Sequence, residues 1–213
     1  MKKYIILTTL ITFAILSSPS HAQLGIPKLG GSASGAKSNS NAPDVNAFVL
    51  NYLTSRQQVL QANSHFWLAL GNKTEADKLK VAAESIKSGG VDASNLKKVT
   101  ELSQSAQADI DAKLASAPTL DATGKAEYVK GLDSLIGGLI TARQVAMSAG
   151  EVSSSLGSNP MNLAGSGRVA LGVAKDAPAY VSNLQKAVTG ALEFGKRNGV
   201  KPTLDPTAAL KGE

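Results

Sequence analysis

Few side chains in this sequence have the type and spacing needed to carry out chemistry. Beyond residue 22, His65 is the only histidine, and the chain contains no cysteine. One histidine without a thiolate cannot form the usual zinc, copper or haem-attachment site, which needs several nitrogen or sulfur ligands. The acidic residues are scattered and form no D-x-D-x-D-G calcium loop, which favours a solvated surface. We therefore predict that the protein holds no metal and no cofactor.

The familiar catalytic patterns are also missing. There is no G-x-S-x-G, and Ser153-Ser154-Ser155 is typical of a helix end rather than a nucleophile. Gly165-Ser166-Gly167 and Gly137-Gly138 lack the G-K-[ST] that follows in a phosphate loop. The spacing of paired carboxylates for glycoside hydrolysis is set by the fold, so the sequence leaves this activity open as an alternative. An aromatic content of 4% argues against a sugar cleft. We expect a protein that is not an enzyme; an envelope hydrolase is a less favoured alternative.

The charge distribution argues against nucleic acid and mildly favours anionic partners. The formal net charge is +6, of which Lys2 and Lys3 contribute two, so the rest of the chain carries +4. Lysines such as Lys78 and Lys97 alternate with acidic residues and have no aromatic neighbours, unlike a nucleic-acid interface. The expected partner is an unidentified envelope protein or an anionic envelope polymer.

The first 22 residues have the pattern of a secretory signal peptide. Two lysines precede an uncharged apolar run from Tyr4 to Leu16, and a segment of small residues ends at Ala22. The apolar run is shorter than the roughly 20 residues of a membrane span, which predicts cleavage after Ala22 and a soluble mature protein. The next segment, residues 23–42, is rich in glycine, serine and asparagine and is predicted to be a disordered leader.

The remaining chain predicts an all-α protein: a single bundle of five to six helices over residues 43–199, followed by a loosely attached tail over residues 200–213. Alanine, leucine, serine and lysine dominate, and the 20 glycines cluster at or between periodic stretches. Start and stop signals divide the domain into six helical segments. These begin near Asp44, Thr74, Ser94, Asp121, Met161 and Pro178, and end near Leu70, Gly89, Ala117, Leu156, Lys175 and Arg197.

The fourth segment has the clearest helical pattern and is predicted to be the central helix. Its seam consists of apolar and small residues spaced alternately by four and three: Tyr128, Leu132, Leu135, Leu139, Ala142, Ala146 and Ala149. A second line of small residues recurs every four positions, at Ser134, Gly138, Ala142, Ala146 and Gly150. A similar line, Ala187 to Gly199, follows in the sixth segment, so we expect these two helices to pack through their small residues.

The glycine pair Gly137-Gly138 lies in the middle of this helix and lowers its propensity. It therefore marks a close approach, a kink or a binding place, with close approach favoured. Aromatic residues are concentrated in the first segment, where the simplest interpretation is core packing and the alternative is a ligand-stacking surface. The candidate ligand or partner surface is assigned to Phe66, Trp67, Gly137, Gly138 and Tyr180.

Together these patterns predict an exported, non-enzymatic helical bundle that binds or scaffolds another component in the periplasm, at the cell envelope or outside the cell. The alternative is a membrane-active or lipid-associated envelope protein that uses the Gly/Ala-rich segments 131–150 and 161–192. Charged residues such as Asp133, Arg143 and Arg168 interrupt both segments and favour a soluble core, which leaves peripheral membrane contact open.

Overall fold

The computed structural model describes residues 44–88, 93–116, 119–158 and 165–211, and this part of the chain contains six helices and no strand. The predicted all-α bundle is confirmed. The predicted signal peptide and leader, residues 1–42, lie outside the described residues, as do Met161 and the two last residues of the tail. The helices are α1 (Val45–Ala69), α2 (Lys73–Ser88), α3 (Ala93–Ala115), α4 (Ala122–Gly157), α5 (Ser166–Arg197) and α6 (Pro206–Lys211).

Two aspartates fix the start of the two helices that form the heart of the bundle. The Asp44 carboxylate accepts hydrogen bonds from the backbone N–H groups of Asn46 and Ala47, both at 3.0 Å, and caps α1. Asp121 caps α4 in the same way, accepting from the N–H of Gly124 at 2.6 Å. Both helix starts were predicted near these aspartates, at Asp44 because a negative charge is favourable at the positive end of a helix. The structure adds the reason that each carboxylate satisfies N–H groups that have no partner within the helix.

The central helix of the bundle is α1, not α4, so the prediction that α4 is central was wrong. Helix α1 packs against α2, α3, α4 and α5, whereas α4 packs against α1, α5 and α6. More than half of the 25 residues of α1 are buried, and these include polar side chains such as Arg56 and Asn63. Buried polar residues break the apolar stripe of α1, so its sequence does not look like that of a core helix.

Helices α1 and α4 run antiparallel in very close contact, and glycine makes this possible. Three glycines of α4 lie seven residues apart, each against a backbone carbonyl of α1, and these carbonyls are also seven residues apart. A Cβ atom added to Gly124, Gly131 or Gly138 would lie 2.7 Å from the oxygen of Ala69, 3.2 Å from that of Ala62 or 3.4 Å from that of Ser55. A side chain at Gly124 would push the two backbones apart, one at Gly131 would collide with the Phe66 ring, and one at Gly138 would fit tightly against Val59.

This contact confirms the predicted close approach at Gly138 but corrects its partner. The predicted packing of α4 against the segment Ala187 to Gly199 is confirmed, because Tyr128 donates a hydrogen bond to the carbonyl oxygen of Ala191. The two small-residue lines do not form this contact as predicted, since Gly138 faces α1 and Gly150 has no neighbour within 4 Å in the described residues. Gly195 of α5 instead lies against the side chains of Leu132 and Tyr128. Steps of four residues rotate by about 40° each around a helix, so a line of five cannot face one partner, whereas steps of seven drift by only about 20°.

A single long helix, α5, replaces the separate fifth and sixth helices predicted around Asp176-Ala177-Pro178. Pro178 lies inside α5 and supplies no N–H for the preceding turn, a defect that costs about 3 kcal/mol in an isolated helix. The residues on either side, including Val173, Ala177 and Tyr180, are buried in the core. Packing on both sides of the proline offsets its cost, and sequence patterns near a proline do not reveal such packing.

The chain after α5 is attached to α4, so the expectation of a loosely attached tail was wrong for residues 200–211. The Asp133 carboxylate accepts hydrogen bonds from the N–H groups of Thr203 at 2.8 Å and Leu204 at 3.0 Å, and also from the Thr203 hydroxyl. Arg143 donates to the carbonyl oxygen of Leu210 at 2.6 Å. These two charged residues, predicted to interrupt the apolar character of α4, thus hold the last helix in place.

We expect Gly131→Ala to lower the free energy of unfolding by about 1 to 3 kcal/mol, the usual range for overpacking. The new Cβ would lie 2.5 Å from the ring of the fully buried Phe66, and the ring has little space to move. The measurement is urea unfolding followed by circular dichroism.

The matched control is Gly150→Ala, a position in the same helix with nothing within 4 Å. It should leave stability unchanged or raise it by up to about 1 kcal/mol, because alanine favours the helix. Equal effects of the two substitutions would contradict the close approach of α1 and α4.

Candidate ligand-binding site

A buried arginine lies in the middle of α1, where the apolar pattern of the helix is interrupted. Arg56 is only 2% exposed. Its Nη1 donates to Oγ of Ser103 at 3.0 Å, and its Nη2 donates to Oδ2 of Asp176 at 3.1 Å and to the hydroxyl of Tyr52. A buried charge must be paired and hydrogen-bonded, and here α1, α3 and α5 together supply the partners.

Two tyrosine rings also surround the Arg56 guanidinium. Its central carbon lies 3.7 Å from the ring centroid of Tyr180 and 4.9 Å from that of Tyr52. The two rings are themselves in contact, with centroids 5.2 Å apart. The negative faces of aromatic rings attract a cation, and this attraction is strongest where water is excluded. The rings therefore help to keep a charged side chain stable inside the bundle.

Both tyrosines stay protonated far above neutral pH. Burial raises the pKa of Tyr52 to about 12; the positive charge of Arg56 opposes this rise, and the hydrogen bond to Asp176 adds to it. Burial is also the main cause of the raised pKa of Tyr180, where Arg56 again opposes it. Each phenol therefore acts as a hydrogen-bond donor, Tyr52 to the Asp176 carboxylate and Tyr180 to a serine described next.

Serine hydroxyls extend the network to the glycine contact between α1 and α4. Ser55 Oγ donates to the carbonyl oxygen of Gly138 at 2.8 Å, so in its 3.0 Å contact with the Tyr180 hydroxyl it must accept. Ser103 Oγ accepts from Arg56 and donates to the carbonyl oxygen of Thr100 at 3.1 Å. All four long helices thus meet in one set of directed hydrogen bonds.

A cleft of about 490 Å³ lies beside Arg56, between α1, α3 and α5. Its polar wall carries two glutamines and an aspartate from α3, and an asparagine and a lysine from α5. Apolar residues form the rest of the lining together with Tyr180. Besides Arg56, the polar lining residues are Ser103, Gln104, Gln107, Asp111, Asn183 and Lys186, and the apolar ones are Val59, Ala108, Leu184 and Ala187. Its volume is in the range of pockets that bind small molecules.

Two buried polar atoms of this lining have no partner within the described part of the chain. One is the N–H donor at Nε of Arg56, and the other is the acceptor Oε1 of Gln107. The Gln107 amide nitrogen is engaged, since it donates to Oδ1 of Asp111 at 2.8 Å. An unpaired buried polar group costs about 1 to 3 kcal/mol, so a free donor and a free acceptor beside one cleft indicate missing partners.

The five residues predicted as a ligand surface lie in different places. Tyr180 borders the cleft. Phe66 is fully buried, with its ring centroid 4.7 Å from that of Tyr128, and Trp67 is 8% exposed. Gly138 lies against α1, and Gly137 lies beside the side chain of Gln58. The structure therefore brings none of the other four to the cleft with Tyr180.

Arg56 and its hydrogen-bond partners were missed by sequence reasoning, whereas Tyr180 was included in the predicted surface. The available signal was the polar interval from Ser55 to Gln58 within an otherwise apolar helix, with an arginine four residues after Tyr52. Residues four apart lie on one helix face, so the pair could have been recognised as neighbours. Asp176 and Ser103 are distant in the chain, and only the packing of the bundle brings them to Arg56.

His65 is the histidine among the described residues, and it contacts an acidic residue away from the cleft. His65 Nδ1 lies 2.8 Å from Oε2 of Glu127, whose Oε1 also accepts from Lys130 at 2.7 Å. Partial burial would raise the pKa of Glu127, but the hydrogen bonds from Lys130 and His65 outweigh it and lower the pKa. The described residues include no group of three or more histidine, cysteine or acidic side chains placed to hold a metal ion.

No family model, curated protein or solved structure matches the chain. Within the described ranges, every helix is too short or too polar to cross a membrane. The geometry around Arg56 therefore carries the functional argument, together with the amino-terminal sequence pattern.

We expect Asp176→Asn to lower the free energy of unfolding by about 1 to 2 kcal/mol, because it leaves the Arg56 charge without its counter-ion. The Asp176 side chain is 41% exposed, so water screens part of the interaction and the loss stays below that for a fully buried pair. Urea unfolding measures the change.

The control is Asp109→Asn, on the exposed surface of α3, which should change stability little. A similar loss of stability in both variants would contradict a specific pair of Arg56 and Asp176.

Stability should fall as the pH rises from 10 to about 12. The folded pKa of Tyr52, about 12, lies above its ordinary value of 10.0. A group whose pKa is raised by folding adds stability that is complete below the unfolded pKa and disappears as the pH passes the folded pKa. Urea unfolding at several pH values in this range gives the slope. Tyr52→Phe should have a shallower slope, and an unchanged slope would show that Tyr52 does not take part.

Proposed function

We propose that the protein is an exported, non-enzymatic binding module whose helical bundle takes a small ligand in the cleft between α1, α3 and α5. The observation that carries this proposal is the unpaired donor of Arg56 and the unpaired acceptor of Gln107 beside that cleft. Export is proposed from the amino-terminal pattern of two lysines, an apolar run and small residues before Gln23.

The chemistry of the site favours binding over catalysis. Arg56 supplies a guanidinium group, and the Tyr180 phenol is protonated at neutral pH, since burial raises its pKa above an ordinary value of 10.0. Both groups donate hydrogen bonds and neither accepts a proton at neutral pH. Asp111 is the one carboxylate of the lining, and its Oδ1 accepts a hydrogen bond from Gln107. Fixed donors and acceptors of this kind orient a ligand without requiring a reaction.

The Arg56 side of the cleft is also rigidly supported. The Arg56 side chain is held by Tyr52, Ser103 and Asp176, and it lies against the ring of Tyr180. Because these partners belong to three different helices, the arginine cannot turn without disturbing the bundle. A binding group that is fixed before the ligand arrives loses little conformational entropy on binding, which favours affinity.

Binding through this cleft should be detected by native mass spectrometry after incubation with small molecules extracted from the cell envelope. Ala108 is an exposed residue of the lining on α3, so Ala108→Phe should fill the cleft without touching the Arg56 network. We expect the unaltered protein to retain an added mass that Ala108→Phe loses. Ala112→Phe, exposed on the same helix and outside the lining, is the matched control.

Two outcomes would count against the proposal. Retention of the same mass by Ala108→Phe would place binding elsewhere, and an uncleaved chain recovered from the cytoplasm would contradict export. Sequencing of the amino terminus should begin at Gln23. The membrane-active alternative is tested by co-sedimentation with neutral vesicles in high salt, where screening removes purely electrostatic attraction. Binding under these conditions would favour that alternative.

A further inference from the structure

We propose that the ligand of this cleft is a small zwitterion with a carboxylate and a protonated amine, of the amino-acid or short-peptide class. This inference rests on the proposed function, because it assigns a chemical class to the same cleft. It is drawn from three properties of the lining: where its free donors lie, where its free acceptors lie, and how its charges balance.

The donors for a carboxylate come from α1 and α5. The Nε group of Arg56 is the unpaired N–H of a guanidinium whose Nη2 is already bound by Asp176 and Tyr52. Lys186 lies at the exposed rim of the cleft and forms no ion pair within the described residues. Guanidinium and ammonium groups form strong charge-assisted hydrogen bonds with carboxylates.

The acceptors for an amine come from α3. Among the described residues, Oε1 of Gln107 has no partner, and the Asp111 carboxylate accepts a single hydrogen bond, from the Gln107 amide. Partial burial against the cleft wall raises the pKa of Asp111, while that hydrogen bond lowers it to a smaller extent. A cation bound beside Asp111 would stabilise its charged form. A protonated amine satisfies both acceptors, since it carries several N–H donors and no acceptor.

The overall charge distinguishes a zwitterion from a simple anion or cation. Arg56 and Lys186 are positive, whereas Asp111 and the Asp176 partner of Arg56 are negative, so the charges around the cleft cancel. A simple anion would leave Asp111 unpaired beside it, and a simple cation would leave Lys186 unpaired. A zwitterion gives each charge a partner, and a volume of about 490 Å³ limits it to a small molecule.

The two unpaired atoms are covered in the structure, so the cleft must open slightly for a ligand to reach both. Gln107 is a partly exposed residue of α3 and can change rotamer without unfolding. Its movement would break the hydrogen bond to Asp111 and free that carboxylate as well. Ligand binding should therefore disturb the NMR signals of the Gln107 side chain more than those of distant glutamines.

The experiment is an NMR titration of the ¹⁵N-labelled full chain, as purified from cells that express it, with glycylglycine, acetate and methylammonium as probes. Glycylglycine should shift the signals of Gln104, Gln107 and Asn183 in a saturable way. Acetate and methylammonium should bind at least about tenfold more weakly, because each lacks one of the two charged contacts.

Lys186→Gln and Asp111→Asn should each weaken glycylglycine binding by about tenfold, the effect expected for one charged hydrogen bond. The matched controls are Lys196→Gln on α5 and Asp109→Asn on α3, which are exposed and lie outside the lining. They should leave the affinity unchanged. All four substitutions avoid the buried Arg56 network, so the fold should be retained in each.

Three results would overturn the inference: acetate or methylammonium binding as tightly as glycylglycine, equal losses in the control variants, or no saturable shift with any probe. These results are distinguishable from failure of the proposed function. If Ala108→Phe still removes a mass retained from envelope extracts while all three probes fail to bind, the cleft binds a ligand of another class. If nothing is retained either, the proposed function fails as well.

Discussion

The close antiparallel contact of α1 with α4 is the constraint on which the rest of the molecule depends. Glycines at positions 124, 131 and 138 allow the α4 backbone to lie against three carbonyl groups of α1. At the last of these contacts the Ser55 side chain reaches the carbonyl of Gly138 and accepts a hydrogen bond from Tyr180. Thus the packing of α1 against α4 positions Ser55, at one edge of the polar network. The hydrogen bond from Tyr180 to Ser55 then joins α5 to both helices.

Burying Arg56 inside a bundle with a modest core is energetically unfavourable. Moving a guanidinium out of water costs several kcal/mol, and an ion pair recovers this only with good geometry and additional hydrogen bonds. Here the counter-ion Asp176 is partly exposed, and one donor of the arginine has no partner. An apolar residue of similar size would often give an equally stable protein. The binding role that we propose for the cleft would account for a charge at this depth, whereas stability alone does not require one.

The features that followed from the sequence are those decided locally. Asp44 and Asp121 mark helix starts because their carboxylates cap neighbouring N–H groups, and the seam of α4 follows the helical repeat. Gly138 was expected to permit a close approach because glycine lowers helix propensity, so a glycine in the middle of a long helix calls for a packing reason. Its partner was assigned incorrectly because the pattern within one helix shows which face carries small side chains but does not show which helix packs against that face.

The features that did not follow depend on residues far apart in the chain. In the sequence Pro178 resembles a helix break, and only the buried residues on both sides of it explain why α5 continues. The tail resembles a frayed end, and only the fold shows that Asp133 and Arg143 lie beside it. The cleft has the same origin. Asp111, Gln107 and Lys186 belong to no motif in the sequence, and they line one cleft only because α3 and α5 both pack against α1.

The matching seven-residue intervals of α1 and α4 limit how the length of these helices can change. Deleting one residue between Ser55 and Ala69 would turn part of α1 by about 100° and move it along the axis by about 1.5 Å. Larger side chains would then face some of the glycines, and Ser55 or Arg56 would lose its partners. Length changes of seven residues in both helices would preserve the contact. Related chains, where they exist, should therefore vary in length mainly outside these two helices.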